Sequence, residues 1–245
     1  MIKRGFLILL AAVGLLPRVL AAGDVEFEAS GSIFSHYMWR GLRLSEGGVF
    51  QPSATVSSKG FSANIWANVQ FDPGSLNEVD FTGSYAGEKG KFSYEAGFIH
   101  YGVNDGLDSD EIYGSVGHSN ILNPSLAVYV DVHEGDGAYL QLGVEPSVPL
   151  GEEASLNFKA FAGYVLKNSY MGLNDAGREF SNLYNADFQV SLTLPLGRGF
   201  SFEPMIGYST SLSRNARQAI KADSVSSRGE SLYGGIAEMA EIQKE

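Results

Sequence analysis

The chain has no cysteine, which excludes disulfides, zinc–thiolate centres and thiol nucleophiles. It is also poor in base: 17 Lys and Arg stand against 28 Asp and Glu, for a formal net charge of −11. Such a balance argues against nucleic acid as a partner. Past residue 22 no apolar run approaches the ~20 residues that a spanning helix needs. Any insertion into a membrane therefore falls to strands closed into a barrel, the other arrangement that satisfies every backbone group in hydrocarbon. Proline is scarce, at 8 residues, whereas glycine reaches 30 and aromatics 12%. That composition suits strands on a curved wall.

The first residues, Met1-Ile-Lys3-Arg4, lead into an apolar stretch from Gly5 to Leu16 and then Val19-Leu-Ala21-Ala22. A basic start, a short apolar core and small residues before the first acid predict a secretory signal peptide over 1–22, cleaved after Ala21 or Ala22. The uncleaved-anchor alternative suffers from the shortness of the run. Loss of Lys3, Arg4 and Arg18 leaves 14 basic residues against 28 acidic. Residues 23–245 are expected to form a single domain.

The expected domain is all-β. Stepping by two from Val25 gives Phe27, Ala29, Gly31, Ile33, Ser35, Tyr37 and Trp39, with Glu26, Glu28, Ser30, Ser32, His36 and Arg40 between them. A strand turns successive side chains to opposite faces, so this segment has an apolar face ending in two aromatics and a polar one. Alternation predicts twelve strands in all: 24–40, 48–58, 60–71, about Val79–Tyr85, about Phe92–Phe98, Glu111–His118, Leu126–His133, Leu140–Glu145, Leu156–Tyr164, Tyr184–Leu194, Phe200–Tyr208 and Leu232–Ile236.

The connections sort by parity. Short ones follow the even strands: Ser58-Lys-Gly60, Gly87–Gly90, Ser119–Asn123, Leu150–Glu152 and Leu196–Gly199. Longer ones follow the odd strands, at Leu42–Gly47, Asp72–Asn77, Val103–Asp108, Lys167–Ser181 and Leu212–Arg228, with the short Glu134–Gly137 as the exception. Short periplasmic turns and long outer loops mark a transmembrane antiparallel up-and-down β-barrel. A soluble sandwich has no reason to sort its loops in this way.

Ser35-His-Tyr37-Met-Trp39-Arg40-Gly41, followed by Ser45 and Gln51-Pro52, resembles the opening of the TorF-type porins of Gram-negative outer membranes. Gly60-Phe61, Ala63, Trp66-Ala-Asn68, Glu78-Val-Asp80, Glu111-Ile-Tyr113 and Tyr139–Gly143 extend the resemblance over roughly residues 25–145. It implies an outer-membrane barrel that works as a porin, and says little of the solute. The chain departs from the usual terminal aromatic, since Tyr233-Gly-Gly-Ile236 runs on through Ala-Glu-Met-Ala-Glu to Glu245. That leaves the register of the last strand open.

If the apolar sets face lipid, then Glu26, Glu28, Asp80, Glu95, Glu111, Asp131, Glu145, Asp187 and Glu203 face the lumen with Lys91 and Lys159. An acid-rich lining predicts a cation-preferring pore; the same residues could instead be hydrogen-bonded plugs in a filled barrel. Arg40 and Arg43 fall at the outer rim, either facing lipopolysaccharide phosphates or the opposing acids, or pairing with Glu78 or Asp80. Tyr37, Trp39, Tyr94, Phe98, Tyr164 and Tyr208 are expected as an aromatic girdle at the bilayer interface. Trp66 falls inside with Asn64 and Asn68, as a sugar platform or as filler.

Asp131-Val-His133 is the one spacing that resembles catalytic geometry, a carboxylate orienting an imidazole. It supports the alternative of an outer-membrane hydrolase, although no further acid pair or nucleophile accompanies it. The oxygen-rich loop Asn104–Glu111 could take calcium but lacks EF-hand spacing, and a solvated loop is the simpler reading. Lys221–Arg228 is expected as a mobile outer loop.

The expectation is thus a passive outer-membrane channel for small polar solutes or ions. It is not an enzyme, uses no cofactor or metal, and is surrounded by outer-membrane lipid and lipopolysaccharide. A non-conducting structural, adhesion or carbohydrate-binding β protein is the other alternative.

Overall fold

The computed structural model describes residues 25–104, 106–151, 153–197 and 200–242; the expected signal peptide lies outside them. Twelve strands follow one another around a single antiparallel sheet. They are β1 (Val25–Phe34), β2 (Val49–Ser58), β3 (Phe61–Gln70), β4 (Ser75–Lys89), β5 (Phe92–Val103), β6 (Ser109–His118), β7 (Pro124–Asp131), β8 (Ala138–Val144, resuming at Ser147–Leu150), β9 (Ala154–Leu166), β10 (Ser181–Gly197), β11 (Phe200–Ser211) and β12 (Glu230–Ile242). The sheet closes where β12 pairs β1, with Ile33 opposite Ile236 and Phe27 opposite Ile242. Closure brings the first and last strands into one continuous ladder, which removes the sheet edges that an open arrangement would leave.

The two faces differ in chemistry. Ile33, Phe81, Ile112, Leu142, Phe188, Ile206 and Leu232 point outward and are exposed. Soluble proteins rarely leave a contiguous apolar patch above a few hundred Å² in water, and here such residues recur on strand after strand. Hydrocarbon is the solvent that suits them. Inward positions are polar and bonded to one another across strands: Asn64 Nδ2 donates to Ser53 Oγ (2.7 Å) and Thr55 Oγ1 (2.8 Å), and Asn157 Nδ2 to Thr193 Oγ1 (2.8 Å).

Four expectations about the elements are corrected. The first strand does not run to residue 40: it ends at Phe34, the chain bends inward at Ser35, and Met38–Trp39 pairs with Leu42–Arg43 in a small hairpin. Alternation continues through that hairpin because its environment, a packed core, is as apolar as lipid. The last strand is longer than Leu232–Ile236 and pairs along both neighbours. The outer segment around Lys221–Arg228 is not a free loop, since it begins in helix α1 (Arg214–Asp223) and is docked. Ser213 caps that helix by accepting from the Ala216 amide (3.2 Å), and Ala216, Ala219 and Ile220 form its buried stripe. Residues 71–74, between β3 and β4, are a tight turn rather than the expected Asp72–Asn77 loop.

Candidate functional site

Three outer connections fold over and into the barrel mouth. The segment 35–48 brings the small hairpin, 167–180 brings a short 3-10 turn at Ser169–Met171, and 212–229 brings α1. They meet in one apolar cluster of Leu42, Met171, Phe180, Ala216, Ala219 and Ile220 with the wall residues Tyr139, Val165 and Tyr184, against which Trp39, Leu44 and Tyr129 also pack. Burying a side chain of this kind contributes about 1.5–3 kcal/mol, so the loops hold each other as a plug. Polar ties reinforce it. The Arg43 amide donates to Ser224 Oγ (3.0 Å) and the Val225 amide to the Arg43 carbonyl (3.0 Å). Tyr184 Oη donates to the Met171 carbonyl (2.6 Å), and Tyr170 Oη to the Leu107 carbonyl (3.1 Å).

At the hairpin tip Arg40 and Gly41 both have positive φ, 46° and 87°, as a tight two-residue turn requires. Gly41 serves a second purpose. A Cβ there would lie 2.8 Å from Asn185 Cβ and 3.3 Å from Ile220 Cδ1, so only glycine lets the tip settle between β10 and α1.

The turn delivers Arg40 into the wall. Its Nη1 and Nη2 reach Glu111 Oε1 and Oε2 at 2.6 and 2.7 Å, the forked geometry that gives guanidinium–carboxylate pairs their strength. Its Cζ lies 4.7, 4.4 and 4.6 Å from the ring centroids of Trp39, Tyr129 and Tyr139. Such distances place the cation within reach of all three ring quadrupoles. Tyr101 Oη donates to Glu111 Oε2 (2.8 Å). The Arg40 and Glu111 side chains are 8% and 2% exposed. Burial alone would lower the guanidinium pKa, but Tyr101 and Glu111 beside it hold it above its ordinary value. The charge is therefore permanent.

The lumen-facing acids fall into two groups. Near the plug Asp80, Glu111, Asp131 and Asp187 are buried. Asp131 accepts from Ser109 Oγ (2.9 and 3.0 Å) and from the His133 amide (3.0 Å), and Asp187 accepts from Tyr233 Oη (2.7 Å) and Gln189 Nε2 (2.9 Å). Further from the plug Glu95 accepts from Tyr113 Oη, Glu203 accepts from Thr193 Oγ1 (3.3 Å), and Lys159 Nζ pairs with Glu145 at 2.9 Å. Glu26 and Glu28, at the start of β1, are exposed. A recess of roughly 310 Å³ opens beside Glu145, Asn157, Lys159, Gln189, Ser191 and Glu203. Lys91 sits in the turn before β5.

Several expected placements change. Tyr37 and Trp39 are not girdle residues: they travel inward with the hairpin, where Tyr37 is 6% exposed and donates to Glu78 Oε1 (3.2 Å). Tyr37 also packs on Trp66 at 5.5 Å, and Trp39 edges onto Tyr101 at 6.0 Å. Tyr94, Phe98, Tyr164 and Tyr208 do lie exposed on the outer face. Arg40 is not a rim residue and pairs with neither Glu78 nor Asp80. Arg43 binds its own loop, donating to the carbonyls of Ser45 (3.0 Å) and Glu46 (2.6 Å).

Asp131 and His133 do not form a catalytic pair. β7 ends at Asp131, and the His133 ring approaches Asp110, Nδ1 to Oδ2 at 3.5 Å, beside His100 Nδ1 at 2.8 Å from Asp110 Oδ1. The expected loop Asn104–Glu111 gives way to strand β6 from Ser109 on; Asp108 accepts the Val103 amide (2.9 Å), and Glu111 is committed to Arg40. Among the described residues no cluster of His, Asp or Glu is arranged to hold a metal.

The sequence reading missed the tyrosines of the wall. Tyr101, Tyr139 and Tyr184 are buried in the barrel, and Tyr113 stacks on Tyr129 at 5.6 Å. For Tyr101, Tyr129 and Tyr139 an aromatic on the polar step of an alternating strand was the available signal; Tyr184 shares the step of the exposed Phe188, and the register shift between β9 and β10 turns it inward.

No family model matches the sequence, and no curated protein does. Among solved structures the NanC porin aligns with a TM-score of 0.53 at 9% identity, covering 88% of this chain and 98% of that one. A structure from work on in-meso crystallization of membrane proteins aligns at 0.52 and 9% identity, over 90% and 85%. The fold is thus that of a closed, twelve-strand antiparallel β-barrel, shared with these structures.

Proposed function

We propose that the protein is an outer-membrane, porin-like channel for small polar solutes or ions, cation-preferring, whose outer mouth is closed by its own loops in this conformation. The observation that carries this reading is the contrast between an apolar outer wall and an inner wall of acids and small polar side chains. A polar lumen in a hydrocarbon-facing barrel offers water and polar solutes a path through the membrane. Acids outnumber Lys159 on the inner wall, and rings of one charge in a low-dielectric wall set ion preference. The likeness to a porin structure supports the architecture, and the resemblance of Ser35–Gly41 to the opening of the TorF-type porins is in keeping with the reading. No chemical step is assigned, because the Asp131 carboxylate and His133 ring are turned to different partners.

The test is to extract the mature protein from outer membranes and record it in planar bilayers. Ohmic steps with a reversal potential toward the cation are expected. A folded protein that stays silent, together with a silent Arg40→Ala variant, would sink the proposal.

A further inference from the structure

The pocket that holds Arg40 has two kinds of wall. Tyr101, Glu111, Tyr129 and Tyr139 belong to the consecutive strands β5, β6, β7 and β8, whose pairing is continuous. Arg40 and Trp39 arrive on a loop hairpin with only two paired positions of its own. The receptor is thus built into the strand wall, and its occupant is carried by a loop.

We infer that this pocket is a binding site for a small solute ending in a guanidinium group, and that Arg40 is its internal competitor. The inference deepens the channel reading and rests on it for the solute's route to the site. The shape of the pocket selects the class. Glu111 offers both carboxylate oxygens to two parallel N–H groups, which a planar guanidinium matches and a spherical ammonium does not. Tyr129 and Tyr139 present ring faces at 4.4 and 4.6 Å from the cation. If the hairpin withdraws, Glu111 is left in a desolvated wall with its charge uncompensated, a state that a solute guanidinium relieves. Asp80, paired in register with Tyr101, has Oδ1 buried without a hydrogen-bond partner among the described residues. It is a spare acceptor beside the same wall for a second donor on the solute. The acid excess of the interior raises the local concentration of cations.

The experiment empties the pocket and offers it a small probe. Arg40→Ala protein, extracted and shown to be folded by heat-modifiable migration, is titrated with methylguanidinium by calorimetry. The expected result is saturable binding that is about tenfold or more tighter than that of methylammonium, the difference a forked carboxylate contact gives over a point charge. Adding Glu111→Gln should weaken it by a similar factor. A folded Arg40→Ala protein that takes up no methylguanidinium, or that binds methylammonium equally well, overturns the inference. If that variant does not fold, the wild type decides. Millimolar methylguanidinium should speed protease cleavage within 35–48 more than methylammonium does, and equal rates would end the proposal. Conductance recorded in parallel separates the two readings. A folded variant that conducts without binding the probe keeps the channel and loses the site, and one that binds without conducting does the reverse.

Discussion

Arg40 and Glu111 are separated by 71 residues in the chain, yet their side chains meet through two hydrogen bonds of 2.6 and 2.7 Å inside the barrel wall. One partner comes from a loop and the other from a strand, so the pair fastens the plug to the barrel.

Removing one partner leaves the other as a buried, uncompensated charge, which costs about 3–5 kcal/mol. Glu111→Gln is therefore expected to release the 35–48 segment while the barrel persists. Protease cleavage confined to that segment, with unchanged heat-modifiable migration, is the expected pattern. Unchanged protection of the segment would show that the pair fastens nothing.

Gly41→Ala adds a left-handed penalty of about 1–2 kcal/mol to a Cβ placed 2.8 Å from Asn185 Cβ. The hairpin tip should back away from α1, and cleavage should rise in 212–229 as well as in 35–48. Gly47→Ala, where no atom lies within 4 Å of the added Cβ, is the matched control and should leave both segments protected.

The outer wall makes a different prediction. Leu142 is 62% exposed on the face assigned to lipid. Leu142→Arg should cost about 2–4 kcal/mol in urea unfolding from bilayers if it lies near the midplane. Gln141→Arg, one residue along and facing inward, should cost far less. Equal costs would contradict the assignment of faces.

A pH effect follows from His36, which lies at the base of the 35–48 segment. Burial lowers its pKa, and Arg43 nearby lowers it further. The folded state therefore disfavours the imidazolium. Its contribution to docking is complete above the unfolded pKa of about 6.5 and fades as pH falls through that value toward the lowered one. Cleavage of 35–48 should rise between neutral and mildly acidic pH, and His36→Asn should flatten the profile.

The barrel was legible because lipid on one side and water on the other impose a period of two, and because the parity of long and short loops gave each strand a direction. Where both sides of a segment are apolar or both are polar, that logic fails. Tyr37 and Trp39 continue the apolar step of β1, so alternation could not tell a packed plug from lipid. Beyond Ile236 the sequence lost its apolar step, while β12 continues on backbone pairing with both neighbours. Helix α1 had a readable signal in Ser213 followed by Ala216, Ala219 and Ile220, but the charged residues around it resemble an exposed loop. The Arg40 pocket draws on β5 to β8 together, and its register is not visible in any one segment.

The central claim, a cation-preferring channel held shut by the Arg40 hairpin, is tested most directly by planar-bilayer recordings of the wild-type and Arg40→Ala proteins in a KCl gradient. The account predicts brief or rare openings for the wild type, a larger open fraction for the variant, and a reversal potential on the potassium side for both. Folded proteins that are both silent, or that both favour chloride, would contradict it.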